Sequence, residues 1–200
     1  MNEIENINRT LFLHLNAGNE TPTWLIQFAI IIADWLIYLI PLLLVALWLW
    51  GEHDNRRLAA KACLVTFLAL GVNQLISLYW IHPRPFMLDL GHAWLNHVAE
   101  SSFPSDHATV FAGVGVTLLF GGATRLAGAV LLTGAAVAWA RVFLGVHFPL
   151  DIVGAIAVAG FAYGAVTLLW QVLGEPLVDH FERLYRILLA WPIKAGWMHH

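Results

Sequence analysis

The chain has 200 residues, 60% of them hydrophobic and 12% charged, with a formal net charge of −3. A soluble domain carries about 25% charged residues, so half that share points to a bilayer, and the negative balance gives a nucleic-acid partner no electrostatic support. The one cysteine, Cys63, lies in an apolar run, which excludes an intramolecular disulfide and reads as a small lipid-buried side chain.

In chain order, residues 1–22 read as an external N-terminal segment. Its apolar stretch, Leu11 to Leu15, is too short for a cleavable signal peptide and has Asn and Glu rather than basic residues before it. The membrane segments are therefore expected to act as their own targeting signals. A span needs roughly 20 apolar residues. Trp24 to Trp50 is long enough for the first, though Asp34 and Pro41 interrupt it and leave open whether it is one helix or two. Leu58 to Ile81 is the second. Ala108 to Phe120, the third, is short unless its polar start lies within the membrane boundary. Leu126 to Leu144 and Leu150 to Leu173 are the fourth and fifth. Residues 174–200 form a tail in which Glu175 to Trp191 alternates apolar and charged residues at helical spacing, as an interfacial helix does. His199 and His200 read as the remnant of a purification tag. Trp24, Trp48, Trp50, Trp80, Trp170 and Trp191 sit near the span ends, where an aromatic belt places them. The expected fold is all-α: one polytopic helix bundle of about five to six spans, forming a single domain.

Basic residues set the orientation. Arg56, Arg57, Lys61, Arg125, Arg183, Arg186 and Lys194 share one face, which the positive-inside rule makes cytoplasmic. Arg9, Arg84 and Arg141 are left on the other. The N-terminus and residues 82–106 and 145–149 are thus expected outside, in the periplasm of a bacterium, with the protein in the inner membrane.

Three polar clusters fall on that outer face. In "IHPRPF", Pro83 and Pro85 end the second span and hold Arg84 extended. In "SSFPSDHATVF", Ser105, Asp106 and His107 stand at the start of the third span. In "WARVFLGVHFPLD", Arg141 is followed six residues later by His147 and four after that by Asp151, with Pro149 placed to open the fifth span. Taken singly, each has an ordinary explanation: snorkelling arginines, an interfacial histidine, a helix-start aspartate on free N–H groups. Together at one membrane depth, they are functional candidates. Their chemistry suits phosphoryl transfer. Arg forks match phosphate oxygens, and the start of the third span offers free N–H groups and a positive dipole end. A neutral His147 can attack phosphorus if Asp151 orients its other nitrogen, which leaves His107 to protonate the leaving oxygen. Asp106 and Asp151 stand in separate motifs, so no Mg²⁺ site is expected, and no cofactor.

The order Arg84-Pro85, then Pro104-Ser105-Asp106-His107, then Arg141 through His147 to Asp151 resembles the three signatures of the type 2 phosphatidic acid phosphatase (PAP2) superfamily. The resemblance extends over nearly the whole chain, "WPIKAGW" at the tail included, and is strongest with the bacterial undecaprenyl-diphosphatase branch. It implies a phosphohistidine on His147, with Asp151 its partner and His107 the acid. Arg84, Arg141 and Ser105 would bind phosphate, generally without metal. Three positions depart from the pattern: Ser77 stands where the first motif has Lys, Asp106 where the second has Gly, and Ala140 where the third opens with Ser. His82 is a candidate to replace the lost phosphate cation. Asp106 is repulsive toward phosphate unless it turns outward or binds a cation.

The resemblance implies an integral membrane hydrolase that dephosphorylates undecaprenyl diphosphate, a polyprenyl diphosphate lipid, to the monophosphate carrier used in cell-wall synthesis. The same site would also serve a lipid phosphotransferase, for example to lipid A, or a phosphatase of phosphatidylglycerophosphate or phosphatidic acid. A non-catalytic headgroup-binding or transport protein would use the arginines without needing the His147–Asp151 pair.

Overall fold

The computed structural model describes residues 3–197, so the terminal His199-His200 pair lies outside the described residues. They form eight α-helices: α1 Glu3–Leu15, α2 Thr23–Trp35, α3 Leu39–Trp50, α4 His53–Tyr79, α5 Asp106–Phe120, α6 Thr124–Phe143, α7 Pro149–Leu188 and α8 Ala190–Lys194. Four segments are long and apolar enough to cross a bilayer: Thr23–Trp50, His53–Tyr79, Thr124–Phe143 and Pro149–Leu188; α5 is apolar but shorter. Outward-facing Phe67, Leu132 and Leu168 are largely exposed, as lipid-facing side chains are in a membrane protein.

α5 is the hub of the bundle and packs against α4, α6 and α7. Small residues allow the close approach, which in a bilayer replaces the missing hydrophobic drive between helices. A Cβ added at Gly134 of α6 would stand 2.5 Å from the Cβ of Phe111 on α5, so only glycine fits that crossing. At about 1.5 Å per residue, the 15 residues of α5 rise only about 22 Å. The chain before it is irregular, and at membrane depth irregular backbone is tolerated where it is buried in protein or lines a cavity.

Three features refine the sequence reading. The first span is two α-helices joined by a 3₁₀ turn at Leu36–Tyr38. Pro41 explains the break: it has no N–H to give the carbonyl of Ile37. The N-terminal segment contains a helix, α1, whose buried positions Asn8 and Phe12 lie four apart on one face. Asn8 Oδ1 accepts the Leu150 N–H at 3.0 Å, and Phe12 meets Phe148 edge-on at 5.2 Å, so α1 clamps the start of α7.

The third is a correction. The tail expected as a separate interfacial helix from Glu175 is the continuation of the fifth span: α7 runs 40 residues to Leu188 with Pro176 inside it. Ion pairs hold this extension to the start of α4, with Arg57 Nε 3.0 Å from Glu175 and buried Arg56 Nη1 3.4 Å from Glu182. They offset part of what the helix loses at Pro176, which has no N–H to donate.

Candidate active site

The site is built at one end of the bundle, where α4 and α6 end and α5 and α7 begin. Arg141 occupies the last turn of α6. Its carbonyl accepts the N–H groups of Val146 and His147 at 3.0 and 3.3 Å, folding the chain back on itself. The fold-back needs Gly145, whose φ of +83° is left-handed and whose Cβ would meet the His92 carbonyl oxygen at 2.2 Å. The six-residue spacing between Arg141 and His147 is therefore the spacing of one closed turn. Pro149 then opens α7, where a missing N–H costs nothing.

Asp151, fully buried in the first turn of α7, faces back along that turn. Its Oδ2 accepts from the Phe148 N–H at 2.8 Å, from His147 Nδ1 at 3.2 Å and from the Ser102 hydroxyl. Both meanings of the His-x3-Asp spacing are thus realised in one residue, a helix-start acceptor and a histidine partner. With Nδ1 donating to a carboxylate, His147 Nε2 carries the lone pair. It lies 3.3 Å from Arg84 Nη1. Burial holds the His147 pKa down to about 4 against the opposing pull of Asp151, so the ring is neutral at ordinary pH.

Arg84, held extended between its two prolines, crosses from the residue 80–105 segment to this turn. Its Nη1 also donates to the Val146 carbonyl at 3.2 Å; Nη2 reaches the Ser101 carbonyl and Glu100 Oε1, each at 3.2 Å. Burial lowers its pKa, opposed chiefly by Glu100 and then Asp151.

Arg84, Asp106, His107, Arg141 and His147 line one cavity of about 290 Å³. Five of the eight residues singled out in the sequence are thereby brought together. Ser105, the N-cap of α5, is fully buried between lining Pro104 and Asp106, and its hydroxyl has no partner. The Nε atoms of Arg84 and Arg141 are likewise buried without partners. Three unspent donors around one cavity suit an oxyanion-rich ligand. Asp106 stays at the cavity wall because Asn73 Nδ2 donates to its Oδ1 at 2.8 Å.

His82 does not line the cavity. Its Nδ1 lies 3.8 Å from Asp151 Oδ1, on the side away from His147's bond to Oδ2, and its Nε2 lies 3.7 Å from Glu5. The structure thus gives no geometric support to His82 as the substitute for the missing lysine. Ser77 itself donates to the Phe103 carbonyl at 3.4 Å. Asp34, one of the two residues that interrupt the first span, stands in the last turn of α2 and lies 4.0 Å from Arg141 Nη1.

Sequence reasoning missed Gln74, His97, Glu100 and Ser101 in the lining, and Asn73 and Ser102 behind it. His97 and Glu100 come from an irregular segment with no periodic signal; burial, and next Arg84, lower the His97 pKa. Asn73 did carry one: a polar residue within an apolar span, one turn before Ser77.

A family model described as the PAP2 superfamily matches residues 58–174. The chain is 35% identical over 195 residues, 98% of each protein, to a protein of Escherichia coli (strain K12) named "Putative undecaprenyl-diphosphatase YbjG". It is 27% identical to the undecaprenyl-diphosphatase BcrC of Bacillus subtilis (strain 168), covering 92% of this chain and 94% of that one. Among solved structures it resembles LpxE of Aquifex aeolicus, with a TM-score of 0.67, 22% identity, and 80% of this chain and 94% of that chain covered. A PAP2-type phosphatidylglycerolphosphate phosphatase from Bacillus subtilis gives 0.61 at 18% identity, over 86% and 88%. At those identities the likeness is one of fold.

Proposed function

Because the chain belongs to the PAP2 superfamily, we propose that it removes the terminal phosphate of undecaprenyl diphosphate at the periplasmic face of the inner membrane, through a phosphohistidine on His147. The observation that carries the reading is the two-sided fixing of His147. Nδ1 is on Asp151 at 3.2 Å, and Nε2 is turned toward Arg84 in a cavity lined by Arg141 and His107. Relatives named undecaprenyl-diphosphatase, matched almost end to end, support the substrate.

In this mechanism the Arg84 and Arg141 forks, the Ser105 hydroxyl and the start of α5 bind the terminal phosphate. Binding draws Arg84 Nη1 onto phosphate oxygens and frees the Nε2 lone pair. That lone pair forms the N–P bond as the bridging P–O bond breaks; the bond electrons leave on the lipid phosphate oxygen, which takes a proton from His107, present as the imidazolium against the bound phosphate. Neutral His107 then accepts a proton from water, whose oxygen attacks phosphorus and breaks the N–P bond. Phosphate leaves, and both histidines return to their starting states. Asp151 holds the ring and opposes the positive charge that grows on it. The periplasmic assignment is supported by the seven basic residues expected at the opposite face.

The test is phosphate release from undecaprenyl diphosphate by purified protein in detergent with EDTA, for wild type and His147→Ala. Release by wild type alone, together with an acid-labile, base-stable phosphoprotein trapped at early times, is the expected result. Equal release by His147→Ala sinks the phosphohistidine; abolition by EDTA sinks the metal-free site.

A further inference from the structure

The buried carboxylate of Asp151 is only half satisfied. Oδ2 has three donors, whereas Oδ1 is buried with none. Facing it at 3.8 Å is His82 Nδ1, itself buried and without a partner. That separation is too long for a hydrogen bond, which for N–H···O has a mode near about 2.9 Å. A shift of roughly 1 Å closes it, and an orphaned buried acceptor is costly enough to favour the closure.

The ring of His82 is aimed rather than free. Phe148 lies 5.7 Å from it on one side, with Trp80 at 5.8 Å and Phe103 at 6.5 Å. Its backbone is fixed as well: its N–H donates to Ser101 Oγ at 3.2 Å and its carbonyl accepts from the Ser102 N–H at 2.7 Å. Ser102 is the residue whose hydroxyl bonds Asp151 Oδ2, so one backbone pairing brings donors to both oxygens of the same carboxylate. Beyond His82, Nε2 faces Glu5 of α1 at 3.7 Å, and Arg9 holds Glu5 at 2.8 Å.

We propose that His82 is a positioning residue for phosphoryl transfer: its Nδ1–H engages Asp151 Oδ1, locking the carboxylate so that Oδ2 stays on His147 Nδ1 as charge grows on that ring. The array runs Glu5, His82, Asp151, His147, from the N-terminal helix to the reacting nitrogen. The carboxylate is held from behind, outside the phosphate pocket, so loss of His82 acts on turnover and leaves substrate binding alone. Partners that orient a ligating side chain at metal centres are worth 10–100-fold in affinity or activity, and the same order is expected here.

This inference rests on the proposed roles of His147 and Asp151, and wild type with His147→Ala controls for those. Three variants test it: His82→Ala, His82→Phe, which keeps a ring in the aromatic cage without nitrogens, and His82→Asn, whose Nδ2 stands near the position of Nδ1. The expected result is a kcat lowered roughly 10–100-fold in Ala and Phe, with KM within about twofold, an unchanged apparent melting temperature for Phe, and recovery of most of kcat by Asn. A raised KM with normal kcat makes His82 a substrate ligand and overturns the proposal. So does wild-type turnover in the Phe variant, or an Asn variant no better than Ala. If His147→Ala is as active as wild type, the underlying reading has failed first.

Discussion

Replacing Asp151 by Asn isolates the charge of the carboxylate from its shape. An amide oxygen in the place of Oδ2 still accepts from Phe148 N, Ser102 Oγ and His147 Nδ1, so the turn that opens α7 is kept. What is lost is the attraction between the carboxylate and a positive His147 ring, along with the Oδ1 acceptor proposed for His82. At the observed 3.2 Å and an effective dielectric of about 20, that attraction is about 5 kcal/mol. If half of the ring charge has developed at the transition state, the loss is about 2.6 kcal/mol, or roughly 80-fold in rate; full development gives several thousandfold. Asp151→Asn is therefore expected to lower kcat by roughly 10²–10⁴ with KM little changed. The assay is initial-rate phosphate release at several substrate concentrations, with the melting temperature in detergent measured in parallel. A folded Asp151→Asn protein that loses less than tenfold, or whose loss lies in KM, refutes the argument that this carboxylate balances charge on His147.

Two further expectations follow from the same turn. Only the neutral His147 ring is nucleophilic and its pKa is held near 4, so kcat/KM should rise with pH through an acid limb near that value rather than near 6.5. A pH–rate profile corrected for the substrate's own phosphate ionisation checks this, and a midpoint at or above 6.5 contradicts it. Gly145→Ala forces a Cβ onto the His92 carbonyl at a φ of +83°; a loss of at least about 2 kcal/mol is expected, lowering the melting temperature by about 4 °C or more and activity with it.

Much of this site was legible because its spacings are backbone facts. Two prolines hold Arg84 extended, Ser105 begins a helix, and a helix opened by Pro149 puts Asp151 in its first turn, reaching back to His147 two residues before the helix. Pro41 likewise announced the break in the first span. What the sequence hid depends on tertiary contact. His82, two residues from Arg84, points behind Asp151 because Phe148 and Phe103 enclose it. His97 and Glu100 enter the cavity from a segment without period. The run of α7 past Pro176 is accompanied by pairs that only the tertiary fold forms, Arg56 with Glu182 and Arg57 with Glu175, more than a hundred residues apart in sequence. The N-terminal helix left a trace in the four-residue spacing of Asn8 and Phe12, one that only its packing against α7 makes meaningful.

The serine at position 77 sharpens what the site relies on. Among the described lining residues the permanent cations are Arg84 and Arg141, matched in number by Asp106 and Glu100. The two carboxylates are not equivalent. Asp106 is tied to Asn73 at 2.8 Å and stands at the positive end of α5. Glu100 is 59% exposed where it meets Arg84 at 3.2 Å, and a pair with so exposed a member contributes about 0–1 kcal/mol. On the roles proposed above, an incoming phosphate takes the place of Glu100 on the Arg84 fork at small cost. Among the described residues, Arg141, whose buried Nε is unpartnered, meets no carboxylate within hydrogen-bond reach, Asp34 lying 4.0 Å away. A phosphodiester headgroup brings about one negative charge, whereas a terminal phosphate brings about −1.5 to −2 near pH 7. A cavity whose fixed charges cancel until Glu100 is displaced therefore favours the terminal phosphate over the diester lipids that surround it.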